Sequence, residues 1–158
     1  MDRVKAAIFS MLGESVIGAR VLDLFAGSGS LGIEALSRGA ASALFVESNR
    51  QAANAIERNL ATASLEARVR VADVFTFLRH ASGAFDIIFA DPPYEAAATG
   101  ESFTELLLKN NALGQLLAPD GALVLEKRPD ERTPEYRNWK LLRARNYGAT
   151  EVLLLAPV

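Results

Sequence analysis

Apolar positions along this chain follow two rhythms in turn, a helical period near 3.6 and short continuous runs of strand length. Asp2 to Leu12 sets Val4, Ile8, Met11 and Leu12 on one side and predicts a helix, with Gly18 breaking the chain afterwards. Arg20 to Phe25 (RVLDLF) reads as a buried parallel strand. The glycine-rich Gly27 to Gly32 leads into a helix that runs to about Arg38 and stops at Gly39. Ala43 to Glu47 (ALFVE) predicts a second strand, Arg50 to Ala63 a helix with Ile56 and Leu60 inward, and Arg68 to Ala72 a third strand. A short helix over Phe75 to Leu78 precedes a fourth strand, Phe85 to Ala90, which runs into Asp91-Pro92-Pro93-Tyr94. Phe103 to Leu117 predicts one helix, closed by the turn Pro119-Asp120-Gly121, and Ala122 to Glu126 (ALVLE) a fifth strand. After a polar, proline-bearing link, Trp139 to Arg145 and Glu151 to Leu155 predict an antiparallel edge pair turning at Tyr147-Gly148.

Helices alternating with buried strands specify a three-layer α/β fold around a mostly parallel sheet. Ligands of such sheets bind at the carboxyl ends of the strands, near the point where strand order reverses. The residues that follow each strand are therefore the ones to inspect. The length of 158 residues predicts a single domain over 1–158. No apolar run approaches the ~20 residues that cross a bilayer, and the first residues lack the parts of a secretory signal, so a cytoplasmic protein without membrane contact is expected.

Composition narrows the chemistry. The chain has no cysteine, which excludes disulfides, zinc–thiolate sites and thiol nucleophiles, and His80 is the lone histidine. No metal site is expected. Net charge is −2, but the segment from Lys127 to Arg145 is locally basic, with Arg128, Arg132, Arg137, Lys140 and Arg143 against Asp130, Glu131 and Glu135. Such a run is either a solvated face or a nucleic-acid surface.

Three acids stand at the ends of the first three strands. Asp23 is placed to accept hydrogen bonds from an amine-bearing ligand or from its own loop; a pyrophosphate would gain nothing from it. Glu47 can take both hydroxyls of a ribose, or stand as a solvated strand end. Asp73 can accept from an adenine amine, or cap the helix that follows. Phe25, Ala26, Gly27, Ser28 and Gly29 form the loop between strand and helix, and Leu24, Phe25 and Val74 are candidate apolar walls. A GxGxxG spacing alone would suit a nicotinamide enzyme as well. Three acids at consecutive strand ends are harder to dismiss as incidental.

The motif Asp91-Pro92-Pro93-Tyr94 carries the chemistry. Two prolines fix the backbone after the strand and present carbonyls beside a carboxylate and an aromatic ring. An exocyclic base amine fits: Asp91 and the Pro92 carbonyl can accept from the NH2 and align its lone pair with a sulfonium methyl, while Tyr94 stacks on the base. Methylation at C5 of a pyrimidine would need a cysteine nucleophile and is excluded.

Asp2-Arg3-Val4-Lys5 with Ile8-Phe9, the segment Leu22 to Gly29 (LDLFAGSG), Gly32 to Ala40 (GIEALSRGA), Asp91 to Tyr94 and the late Tyr147-Gly148 resemble the bacterial 16S ribosomal RNA guanine-N2 methyltransferase family. The resemblance implies a Rossmann-like methyltransferase fold, with a seven-stranded sheet and helices on both faces. It implies S-adenosylmethionine as cofactor and S-adenosylhomocysteine as product. Glu47 would hold the cofactor ribose, Asp73 the adenine amine and Ala26 to Gly29 the amino-acid portion, with Asp91 and Tyr94 in the catalytic motif. Arg3 and Phe9 would lie in a segment that closes over the cofactor and helps meet the RNA, helix initiation being the plainer role for Arg3. Members usually carry a basic stretch ahead of the DRV segment, a hairpin expected to be absent here. RNA contact would then fall to Arg3, Pro93, Tyr94, Lys127, Arg128, Lys140 and Arg143. A monomer acting on 16S ribosomal RNA within a small-subunit assembly particle is expected. DPPY also occurs in adenine-N6 enzymes of DNA or RNA, which stands as the alternative.

Overall fold

The computed structural model describes residues 2–131 and 138–158. Arg132, Glu135 and Arg137 of the basic segment, and much of the proline-bearing link, lie outside them. Seven strands, β1 (Arg20–Leu24), β2 (Ser42–Glu47), β3 (Arg68–Val71), β4 (Phe85–Ala90), β5 (Leu117–Lys127), β6 (Trp139–Tyr147) and β7 (Thr150–Pro157), form one sheet in the order β3-β2-β1-β4-β5-β7-β6. The first five are parallel; β7 pairs antiparallel with both β5 and β6. This is the expected Rossmann-like methyltransferase architecture.

Side chains of a strand alternate between faces, so each face builds its own core. On one side α1 (Arg3–Leu12), α2 (Ser30–Ser37) and α3 (Arg50–Thr62) cover Val21, Phe45, Ile87, Phe89 and Val124. On the other, α4 (Val74–His80), α5 (Phe103–Lys109) and α6 (Asn111–Gln115) cover Leu22, Leu24, Ile88, Leu123 and Leu125. Burial of each such Leu, Ile or Phe contributes about 1.5–3 kcal/mol, the main force fixing strand register. The order reverses at β1, which pairs with β2 on one side and β4 on the other. A crevice therefore opens at the carboxyl ends of β1 and β4. Among the described residues no helix is long and apolar enough to cross a membrane.

Two of three expectations need correction. The helix expected over Phe103 to Leu117 is two helices, because Asn110 is extended and its side chain accepts from the Ala112 N–H, capping α6 as α5 ends. The turn Pro119-Asp120-Gly121 does not precede β5 but lies within it, where the register with β4 shifts between Phe85 and Ile87. The third, the antiparallel pair at the sheet edge, holds with one refinement: β7 lies inside against β5 and β6 is outermost.

Candidate active site

The loop after β1 is held open by a set of local bonds. Phe25 takes a left-handed backbone (φ 55°), a conformation costing a non-glycine residue roughly 1–2 kcal/mol. Ala26 N–H donates to the Val46 carbonyl at 3.1 Å, Gly29 N–H to the Ala26 carbonyl at 2.8 Å, and the Asn59 amide to the Ser28 carbonyl at 3.0 Å. Gly29 (φ 85°) starts α2, and Gly32 lets that helix lie against Phe45: a Cβ there would come within 2.7 Å of the ring's Cζ.

Each of the three strand-end acids meets the chain's own amides. Asp23 is buried and its Oδ2 accepts from Gly32 N–H at 3.0 Å. Glu47 spans two donors, with Oε1 on Gly27 N–H at 2.8 Å and Oε2 on Asn49 N–H at 2.9 Å. Asp73 caps α4, Oδ2 accepting from Thr76 N–H at 3.0 Å. Loop brace, loop clamp and helix cap are thus real structural roles, and the glycine loop is shaped by the acids at the ends of β1 and β2. Burial, with the nearby charges of Asp91 and Glu47, pushes the Asp23 carboxyl up to about 8 against the opposing pull of the Gly32 bond. Of the candidate walls, Leu24 and Val74 are buried in the sheet's second core. Phe25 instead turns its ring against Phe75 and Phe103, with centroids 6.3 and 6.2 Å away.

Across the switch point, Asp91 and Glu126 meet. Ala90 stands opposite Leu125, so the next residues of β4 and β5 bring both carboxyls to the same end of the sheet, where they share a hydrogen bond. Asp91 is exposed at the crevice mouth, yet partial desolvation by its neighbours raises its carboxyl above the ordinary value, and the bond from Glu126 offsets part of that rise. Glu126 is pushed up to about 8, by burial first and then by the charges of Asp91, Asp2 and Asp23. Pro92 is buried, whereas Pro93 and Tyr94 are exposed, Tyr94 at 42%. The Arg128 guanidinium lies over the Tyr94 ring, 4.6 Å from its centroid, and the Tyr94 hydroxyl bonds Thr150. Burial, then the charges of Asp91 and Glu126, raise the phenol above its ordinary value.

A cavity of about 260 Å³ joins these groups, lined by Phe25 to Ser28, Asp23, Asp91 and Glu126, with Asp2 and Lys5 at its rim. Larger hollows of about 530 and 470 Å³ lie beside the end of α3 and between β3 and α4. Neither contains a strand-end acid of the crevice. In the smaller cavity four acids face one lysine, and with the Asp23 and Glu126 carboxyls both pushed up to about 8 the lining offers hydrogen bonds and residual negative charge that suit a cationic ligand better than a pyrophosphate. Lys5 donates to Ser30 Oγ at 3.0 Å, tying α1 to the start of α2. Among the described residues no cluster of His, Asp or Glu is arranged to hold a metal ion.

The structure separates the residues expected to meet RNA. Arg128, Pro93 and Tyr94 stand together at the crevice, and Arg3 is exposed at the start of α1. Lys127 does not belong with them. It is fully buried, donating to the Arg128 and Glu131 carbonyls and pairing with Glu151 at 3.0 Å, so its charge is spent inside the protein. Lys140 is exposed but pairs with Ala156 at the far end of β6. Seven residues of strand, about 23 Å, separate it from Tyr147 at the crevice end. Arg143 is exposed midway along the same strand. Phe9 is a core residue packed on Phe89, at the inner side of α1. Sequence reasoning missed Glu126 as a site residue, although ALVLE ends in an acid just as ALFVE does. Phe75 and Phe103 were missed too, since only the fold brings them to Phe25.

A wound sheet with this glycine loop after its first strand and DPPY after its fourth defines a Rossmann-like methyltransferase. The family described as Conserved hypothetical protein 95 matches residues 1–156. Ribosomal RNA small subunit methyltransferase D of Escherichia coli (strain K12) is 35% identical over 149 residues, 93% of this chain and 73% of that protein. Its namesake in Haemophilus influenzae is 35% identical over 152 residues, covering 93% of this chain and 76% of that protein. A solved conserved hypothetical protein from Streptococcus pyogenes superimposes with a TM-score of 0.83 at 33% identity, covering 98% of this chain and 95% of that one. The chain belongs to the ribosomal RNA small subunit methyltransferase D family.

Proposed function

We propose that this protein transfers a methyl group from S-adenosylmethionine to the exocyclic N2 amine of a guanine in 16S ribosomal RNA, working in the cytoplasm as a monomer on a small-subunit assembly particle. The observation that carries the reading is Asp91-Pro92-Pro93-Tyr94 opening into an acid-lined cavity beside the glycine loop. The methyltransferase domain proposed for it spans residues 1–158.

When bound, S-adenosylmethionine supplies an electrophilic methyl on a sulfonium centre and leaves as S-adenosylhomocysteine. The Ala26-Gly27-Ser28-Gly29 loop and Asp23 would hold the amino-acid end, Glu47 the ribose, and Asp73 with Phe25 the adenine. Asp91 and the Pro92 carbonyl accept from the target NH2 and turn its lone pair toward the methyl carbon. As the N–C bond forms, positive charge grows on nitrogen, where the Asp91 carboxylate stabilises it most. Asp91 then takes one amine proton and releases it to water. Tyr94 stacks on the extruded base, while Arg128, Pro93 and Arg3 meet the surrounding RNA.

The test is methyl transfer from labelled S-adenosylmethionine to unmethylated small-subunit particles and to deproteinised 16S RNA, followed by nucleoside analysis. N2-methylguanosine is expected. N6-methyladenosine would move the assignment to the adenine class that shares DPPY, and absence of transfer with both substrates would overturn it.

A further inference from the structure

Resting on that reading, we infer that Glu126 is a positioning residue for Asp91: in its protonated form it donates a hydrogen bond to one Asp91 oxygen and leaves the other aimed at the amine. The argument begins with register. Ala90 and Leu125 are paired across β4 and β5, so the residues one step beyond stand side by side at the mouth of the crevice. Both line the cavity, and their carboxyls are hydrogen-bonded to each other. Two carboxylates cannot share such a bond without a proton between them.

Which carboxyl keeps the proton follows from the surroundings. Glu126 faces Asp91 and Tyr94 from the loop after β4, Asp23 from β1, and Asp2 and Lys5 from the start of α1, with Arg128 just past the end of its own strand. Acids outnumber bases around it, its backbone is held in mid-sheet, and its carboxyl is pushed up to about 8. The bond it gives Asp91 favours the ionised form of Asp91. Near neutral pH the pair thus carries one negative charge, held on the residue that follows β4 and touches the acceptor. A neutral donor also locks the Asp91 side chain, which otherwise has two free torsions. The role adds nothing to the transfer itself: the methyl carbon leaves sulfur for nitrogen, and the amine proton still goes to Asp91 and then to water.

The consequence is a limit on the alkaline side. Above about pH 8 Glu126 ionises, the donor is lost and a second charge repels Asp91. The experiment compares wild type, Glu126→Gln and Glu126→Ala in single-turnover methylation of 16S RNA from pH 6 to pH 10. Glutamine is a permanent neutral donor, so Glu126→Gln should stay within about threefold of wild type at pH 7, while its alkaline limb moves up by about one pH unit or more. Glu126→Ala should fall about tenfold or more at pH 7, with cofactor affinity within about twofold. An alkaline limb shared by wild type and Glu126→Gln, or full activity in Glu126→Ala, would overturn the inference. Carboxyl-carbon NMR titration reads the same pair without turnover. A glutamate resonance titrating near pH 8, missing in Glu126→Gln, is expected, and its absence from wild type would equally reject the role. An intact titration in a protein that methylates no RNA would instead indict the proposed reaction.

Discussion

The two halves of the crevice hold their carboxylates in opposite ways. On the β3-β2-β1 side, Asp23, Glu47 and Asp73 each accept from backbone N–H groups, and in doing so shape the glycine loop and the start of α4. On the β4-β5 side, Asp91 and Glu126 find each other and no amide of a preformed loop. The first arrangement suits a cofactor that must be bound the same way in every cycle, because the loop is built before the ligand arrives. The second keeps a single negative charge on a carboxyl pair where a cationic centre would form, an arrangement suited to the charge that develops in the reacting complex.

That contrast can be broken most directly at Asp91. Asp91→Ala should lower methyl transfer by about 10²–10³-fold with cofactor affinity little changed, since it removes a group that acts on the transition state. Rapid-quench assays and calorimetric titration would separate the two effects. Glu47→Ala should do the reverse, weakening S-adenosylmethionine binding about 10- to 100-fold through the lost charged bonds and a loosened loop. A purely catalytic defect there would erase the division between the halves.

Asp23→Asn probes the charge held between them. The folded-state value of about 8 lies above the carboxylate's ordinary 3.8, so the folded protein binds the extra proton and stability falls as pH rises through that window. Asparagine keeps an acceptor for Gly32 and never ionises. The variant should therefore exceed wild type by about 1–3 kcal/mol above pH 8 and converge with it near pH 4, as read from denaturant midpoints. Lys140→Glu should have the smallest effect, less than about twofold on RNA methylation, because it sits at the far end of β6 from the crevice. A tenfold loss would extend the RNA footprint over the whole edge.

Most strand and helix boundaries were legible because a strand buried on both faces must be almost wholly apolar, as in FDIIFA and RVLDLF. The break at Asn110 was not, since Leu106, Leu107, Leu108 and Leu113 keep a helical rhythm across a cap that costs no apolar residue. The strand-end acids could be named because the fold class says where strand ends lead. Glu126 could not be paired with Asp91 without knowing that β5 lies beside β4. The charge count misled at Lys127: a lysine in a basic run reads as surface, and only pairing with β7 reveals Glu151 as the partner of its buried ammonium. Removing Glu151 would strand the buried Lys127 charge, at about 3–5 kcal/mol.

The placing of β7 between β5 and β6 bears on how the chain must be made. Synthesis delivers β1 to β5 first and β6 next, yet β6 has no partner until β7 exists. The outer edge of β5, with its row of unpaired amides and carbonyls, stays open through that interval and is a ready template for any stray strand. The strand that follows β6 out of the ribosome is thus the one that seals β5 and gives Lys127 its counter-ion. A translational pause shortly before residue 150 would expose this edge longest, and aggregation during expression should track the speed of that final stretch.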